Sequence, residues 1–226
     1  LYSMNISYRD MPIPHVLIDD FLPDKAAKKC LEEFISYEPY YIDAAVNECQ
    51  CDDCQESAKI CQRDNKIFYL DGKVKPNKSD IIKSVHHALF KTPLTNFLAE
   101  LGGLFPIIQT CTTTESILSR YGKCDFYGVH TDQMSEKPQT RLLTVVFYVN
   151  KENAKFTGGD LNLYDKKGAS YISIKPRHNR CVIFESRRLH SVSSVGLNEE
   201  LFDEGRFSLN FWIGFDGNLR WRDELG

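Results

Sequence analysis

The sequence predicts a mostly β protein with flanking helices: a double-stranded β-helix, or jelly roll, preceded by an N-terminal helical annex. From about Thr110 onward, short β-rich runs follow one another with turn residues between them and no helical pattern. Ahead of them lie stretches whose apolar residues recur at helical spacing. At 226 residues the chain suffices for one large core. The expected organisation is one domain over 1–226, with an annex over about 1–109 that contains a Cys-rich insertion at 43–65 and a jelly-roll core over about 110–226.

In chain order, PIPHVLIDDF reads as an entry strand that ends at Leu22-Pro23, and His15 within it reads as a packed or surface side chain. Asp24 opens an amphipathic helix in which Ala27, Cys30, Leu31, Phe34 and Ile35 share a face, and Pro39 closes it. Ser79 is the expected N-cap of a helix through Ile82, Val85 and Leu89. Thr92-Pro93 starts another, stopped by Gly102-Gly103. His86 and His87 are adjacent on the first of these, about 100° apart around the axis, which argues against a shared ion. The expected strands are 114–121, 126–131, 142–149, 160–164, 171–174, 181–185, 191–195 and 207–215.

Hydrophobic residues make up 42% and charged residues 26%, and the net charge of −3 leaves no basic footprint for nucleic acid. No apolar run approaches the roughly 20 residues of a membrane helix, and LYSMNISYRD lacks a signal-peptide core. The eight cysteines do not form an evenly spread disulfide framework, so a reducing cytoplasm is the expected setting. Cys49, Cys51, Cys54 and Cys61 are close enough in sequence to close on one structural zinc. They read equally as reduced loop cysteines or as a disulfide.

The chemistry is concentrated in YGKCDFYGVHTD. His130 and Asp132 are two positions apart, and an extended chain would project both from one face. Downstream, His190 stands between CVIFE and SVSSV and supplies a third ligand, completing the two-His, one-carboxylate set of non-haem iron sites. His178, in the polar turn PRHNR, reads as solvated. Arg206 is the basic residue that follows His190, and its strand RFSLNFWIGF puts Ser208 and Asn210 on its own face. A planar guanidinium suits the far carboxylate of a dicarboxylate cosubstrate. The alternative for Arg206 is a salt bridge to the acidic loop before it.

These blocks resemble the Fe(II)- and 2-oxoglutarate-dependent oxygenases, in their prolyl 4-hydroxylase-like branch. The run is YGKCDFYGVHTD, LLTVVFYVN, FTGGDLNLYD, IKPRHNRCVIFESRRLHSV and RFSLNFWI, roughly Ser116 to Phe215, and the entry segment looks like the usual lead-in. The resemblance implies Fe(II) held by His130, Asp132 and His190, and 2-oxoglutarate anchored by Arg206 with Ser208 assisting. Tyr121, Tyr148 and Thr144 match residues of the cosubstrate pocket, and the two tyrosines read equally as core aromatics. It further implies hydroxylation of an unactivated C–H of a prolyl or other residue in a peptide or protein, or of a free amino acid, with release of succinate and CO2 and ascorbate in support. The chain departs from the family's pattern in the insertion LNEELFDEG before Arg206 and in Gly158-Gly159-Asp160, where Gly-Gly-Glu is common.

QMSEKPQT and the insertion at 197–205 adjoin ligand-bearing strands and are expected to flank the mouth as lids. Glu199, Glu200, Asp203 and Glu204 would make one lip acidic, favouring a neutral or basic peptide, protein or small-molecule substrate over a phosphate backbone. The competing readings are a non-catalytic binding module with a zinc knuckle, an alkylated-nucleic-acid demethylase and a cupin-type metal enzyme without 2-oxoglutarate.

Overall fold

The run RLLTVVFYVN places Leu143, Val145, Phe147 and Val149 on one face and Thr144, Val146 and Tyr148 on the other. The structure, a computed structural model describing residues 4–44, 63–70, 80–133, 139–199 and 201–216, buries the first row under helices and turns the second toward a second sheet. This division runs through the whole architecture.

The strands are β1 (Asn5–Arg9), β2 (His15–Asp19), β3 (Ile42–Asp43), β4 (Arg63–Asp64), β5 (Lys66–Tyr69), β6 (Thr112–Tyr121), β7 (Phe126–His130), β8 (Gln139–Tyr148), β9 (Thr157–Gly158), β10 (Leu161–Tyr164), β11 (Tyr171–Ile174), β12 (Arg180–Glu185), β13 (His190–Val192), β14 (Val195–Gly196) and β15 (Arg206–Asp216). The helices are α1 (Asp24–Ser36), α2 (Asp80–Leu89) and α3 (Thr92–Ala99). An eight-stranded sheet has the order β1-β2-β12-β8-β15-β6-β5-β3, and a five-stranded sheet the order β11-β10-β13-β7-β4. Each recorded pairing is antiparallel, as expected of a jelly roll. No helix among the described residues is long and apolar enough to cross a membrane.

The large core lies between the eight-stranded sheet and the helices. Ala27, Cys30 and Phe34 of α1, Val85 and Leu89 of α2 and Leu94 and Leu98 of α3 meet Leu143, Val145 and Phe147 of β8 and Phe207, Leu209, Phe211 and Ile213 of β15. Each Val, Leu, Ile or Phe side chain among them contributes roughly 1.5–3 kcal/mol by leaving water. A smaller core between the sheets holds Ile13, Val146, Tyr148, Leu161, Leu163, Ile174, Val182 and Phe184.

Differences from the sequence expectation have local causes. The run expected as one strand over 191–195 divides into β13 and β14, because β13 pairs with β10 and β7 whereas Val195 and Gly196 pair with Gly158 and Thr157 of β9. β1 and β5 carry little signal of their own, yet both pair into the large sheet, which therefore draws strands from both halves of the chain. His178 is not solvated: it is half-buried, and its Nδ1 accepts a hydrogen bond from Asn150 N at 3.2 Å. His15 is buried, as one of its two readings had it, and its Nδ1 donates to Ile13 O at 2.8 Å. The Cys49, Cys51, Cys54 and Cys61 cluster and the Ser79 cap lie outside the described residues.

Phe147 is fully buried, with its ring 5.2 Å from that of Phe21. Phe147→Ala is expected to lower unfolding stability by about 3–5 kcal/mol in chemical denaturation. Phe215→Ala, at a site 52% exposed, should stay within about 0.5 kcal/mol of wild type.

Candidate active site

His130 closes β7 and His190 opens β13, and the two are directly opposite in the small sheet. Their rings are 4.1 Å apart. Asp132 lies just beyond β7, not within it; its position is set by its N–H donating to Ser186 O at 2.9 Å. The sequence reading had placed His130 and Asp132 on one strand face, whereas a tie to the end of β12 brings the carboxylate back to the imidazoles. Asp132 Oδ1 is 3.7 Å from His130 Nε2, and Oδ2 is 3.4 Å from His190 Nε2. One ligand atom from each residue lies within 4.8 Å of the others, so the three can hold one metal ion.

The ring tautomers follow from hydrogen bonding. His130 Nδ1 contacts Gly128 O and His190 Nδ1 contacts Arg188 O, each at 2.8 Å. A carbonyl oxygen only accepts, so both Nδ1 atoms carry the proton and a neutral ring offers its Nε2 lone pair. Burial, reinforced by the facing His190, pushes the His130 pKa down to about 3 and keeps it neutral. Burial also acts on His190, but Asp132 outweighs it and raises the pKa of that ring. For Asp132, burial opposes ionisation; the charge and hydrogen bond of His190 prevail, holding the carboxyl well below its usual range. Two imidazole nitrogens and an ionised carboxylate form a donor set suited to a divalent transition metal.

Thr144, expected in the cosubstrate pocket, lines the cavity beside this cluster and donates from Oγ1 to Asp132 Oδ2 at 2.8 Å. Its hydroxyl also contacts Ser186 Oγ at 3.0 Å. With the Thr144 proton engaged by the carboxylate, Ser186 is the donor in that second bond. Thr144 thus orients the carboxylate.

The cavity beside this cluster, about 300 Å³, is floored by a grid from the large sheet. Arg206 faces Tyr121, Ser208 lies between Ser119 and Tyr148, Asn210 between Ile117 and Val146, and Trp212 between Glu115 and Thr144. Arg206 is 1% exposed and donates from Nε to Gly159 O at 3.1 Å and from Nη1 to Ser208 Oγ at 3.1 Å. Its guanidinium carbon is 4.7 Å from the centre of the Tyr121 ring and 4.8 Å from that of Tyr148. No carboxylate among the described residues forms an ion pair with it, so the salt-bridge alternative is not met there. Tyr148 Oη is buried with no hydrogen-bond partner among the described residues, and burial pushes its pKa up to about 12, preserving the phenol proton. A buried cation and a buried phenol donor facing one cavity fit the carboxylate of a dicarboxylate ligand. Gly159 permits this approach: a Cβ there would lie 3.4 Å from the Arg206 stem and 3.0 Å from Val195, at φ +67.

The lid expectation for 197–205 is corrected. None of its described residues lines the cavity. Asp203 and Glu204 both bind Lys151 Nζ, at 2.6 and 2.8 Å, and Arg120 donates to the Leu201 and Phe202 carbonyls. Phe202 packs edge-on against Phe207 and Tyr41. The insertion is strapped to the reverse of the large sheet, so these carboxylates form no acidic lip. Most of QMSEKPQT lies outside the described residues.

Sequence reasoning missed Tyr127, Arg63, Trp212, Arg141 and Glu115, all of which line the cavity. Trp212 was legible, two positions after Asn210 on the face of Arg206. Tyr127 was not: strict alternation puts it opposite His130. A bulge pairs His190 with His130 but Val192 with Tyr127, and this brings the Tyr127 ring onto His130, centroids 3.5 Å apart. Arg63 caps that ring at 4.4 Å.

Comparison with known proteins agrees with this geometry. Residues 116–214 match the model of the 2OG-Fe(II) oxygenase superfamily. Over 96 residues the chain is 35% identical to an uncharacterized PKHD-type hydroxylase of Synechocystis, covering 39% of this chain and 32% of that protein. The match thus spans about a third of that relative's length. Among solved structures, a Pseudomonas putida prolyl-4-hydroxylase superimposes with a TM-score of 0.62 at 20% identity, over 88% of this chain and 91% of that one. A Trichoplax adhaerens prolyl hydroxylase, solved with a hypoxia inducible factor peptide fragment, gives 0.63 at 18% identity, over 90% and 84%. At these identities the likeness establishes a shared fold.

Thr144→Val removes the hydroxyl held by Asp132 while keeping the side-chain volume. Divalent-metal affinity, read by Co(II) titration, is expected to fall roughly ten- to hundredfold.

Proposed function

We propose that this chain, whose residues 116–214 match the model of the 2OG-Fe(II) oxygenase superfamily, is an Fe(II)- and 2-oxoglutarate-dependent dioxygenase that hydroxylates an unactivated C–H bond. The substrate is a prolyl or other residue in a peptide or protein, or a free amino acid. One observation carries the reading: the His130, Asp132 and His190 cluster shares a cavity with a buried Arg206 that has no ion-pair partner among the described residues.

His130 and His190 would hold the iron through Nε2, the Nδ1 bond to a backbone carbonyl fixing in each ring the tautomer that presents the Nε2 lone pair. Asp132 supplies the anionic ligand, oriented by Thr144. Arg206 binds the distal carboxylate of 2-oxoglutarate through N–H groups not engaged by Gly159 and Ser208, and the Tyr148 hydroxyl donates to the same carboxylate. Tyr121, 3% exposed, supports the guanidinium through its ring. When bound, iron and 2-oxoglutarate would supply the oxidising chemistry with O2 as the oxidant: 2-oxoglutarate would lose CO2 and take one oxygen atom to become succinate, and the other oxygen atom would enter the substrate C–H bond. Val146, Leu161 and Val192 line the cavity with apolar surface and exclude water around the reacting groups. A peptide substrate is supported by the shared fold of hydroxylases, one of them solved with a peptide.

Anaerobic addition of 2-oxoglutarate to the Fe(II)-loaded protein is expected to develop a visible metal-to-ligand charge-transfer band. Its absence at saturating cosubstrate would reject the assignment. His130→Ala should abolish both the band and turnover. Arg206→Ala should retain metal and weaken 2-oxoglutarate binding roughly ten- to hundredfold, the scale of hydrogen bonds to a charged group; unchanged binding would remove Arg206 from this role.

A further inference from the structure

We propose that the protein carries a second recognition site, a basic groove at the open edge of the sandwich that takes an acidic, extended peptide segment as an added strand along β11. The groove has a volume of about 400 Å³ and shares no lining residue with the metal cavity. It lies where β1 and β2 of the large sheet come opposite β11 of the small one, and β1 and β11 are each the terminal strand of their sheets. A terminal strand has a row of backbone N–H and C=O groups that another strand can pair with.

The charge of the groove has one sign. Arg9, Lys175 and Arg177 line it, all exposed, and among the described residues no carboxylate forms an ion pair with them. Asp19 is held by Arg180, which donates from Nε at 2.7 Å and from Nη2 at 2.8 Å, and Asp10, next to Arg9 in the chain, accepts from Tyr8 Oη at 3.0 Å. Three such cations in a chain of net charge −3 make a local positive field that selects an anionic partner. The apolar part of the lining is formed by Leu17, Ile172 and Ile174, with Met11 78% exposed at the rim. Alternating side chains of a bound strand fit these two features, one row on the apolar floor and the other toward the cations. Single-stranded nucleic acid is disfavoured, because grooves that hold it stack bases on aromatic rings and no Phe, Tyr or Trp lines this one.

The test uses the full-length protein and fluorescein-labelled peptides that alternate Glu with Val, compared with a Lys counterpart and a version interrupted by Pro. In fluorescence anisotropy the Glu peptide should bind roughly tenfold or more tightly than either control and weaken with salt. Arg9→Glu, Lys175→Glu and Arg177→Glu combined should lose at least that factor while leaving 2-oxoglutarate turnover unchanged. All three positions are exposed, so the variant is expected to fold, with thermal unfolding as the check. Equal binding of the Glu and Lys peptides, or unchanged binding by the triple variant, overturns the proposal and leaves the charges as guards of a sheet edge. Preferential binding of a labelled oligothymidylate would assign the groove to nucleic acid. Sedimentation showing self-association lost in the triple variant would assign it to a second copy of this chain; each of these two results also overturns the proposal.

Discussion

The polar residues of the cavity are held in place by the apolar residues on the reverse of the same strands. Phe207, Leu209, Phe211 and Ile213 of β15 are buried against the helices, so the backbone between them has no freedom to rotate. Arg206, Ser208, Asn210 and Trp212 are thereby presented to the cavity in one line. The same holds for Leu143, Val145 and Phe147 behind Thr144, Val146 and Tyr148. Hydrophobic burial, which is not directional, becomes positional when a strand divides it by parity.

That parity explains what could be read from the sequence. His130, Asp132, His190 and Arg206 were legible because residue type and spacing suffice to nominate a donor set and an anchor, and the fold brings all four to one cavity. Thr144 was placed on the cavity face, but its bond to Asp132 was not legible, since only the tertiary course of the chain sets that carboxylate beside it. Tyr127 was hidden by a bulge, where the period of two fails. Arg63 was hidden because β4 is two residues long and joins β7 across a large separation in sequence. The acidic insertion misled for a related reason: charge is visible in a sequence, but the lysine that binds it is not.

The cavity arginines share a further device. Arg63 lies over Tyr127, Arg141 over Trp212 at 3.7 Å, and Arg206 against Tyr121 and Tyr148. In each case the guanidinium carbon lies within 5 Å of a ring centre, a contact that leaves N–H groups available to acceptors. Arg141 directs one of them to Glu115, and Arg206 directs two to Gly159 and Ser208. The aromatic residues thus confine the cations without consuming their hydrogen-bonding capacity, which suits the dicarboxylate proposed for this cavity.

The cross-strand pairing of His130 with His190 has a thermodynamic corollary. Neither strand contains the donor set; it exists only when β7 and β13, distant in sequence, have zipped together. An ion that binds this set binds the native chain and not the unfolded one, and its binding free energy adds to folding stability, about 2.7 kcal/mol at a hundredfold excess over its dissociation constant. The smaller sheet, whose β13 is only three residues long, is therefore the part of the molecule whose cooperativity is most coupled to metal supply.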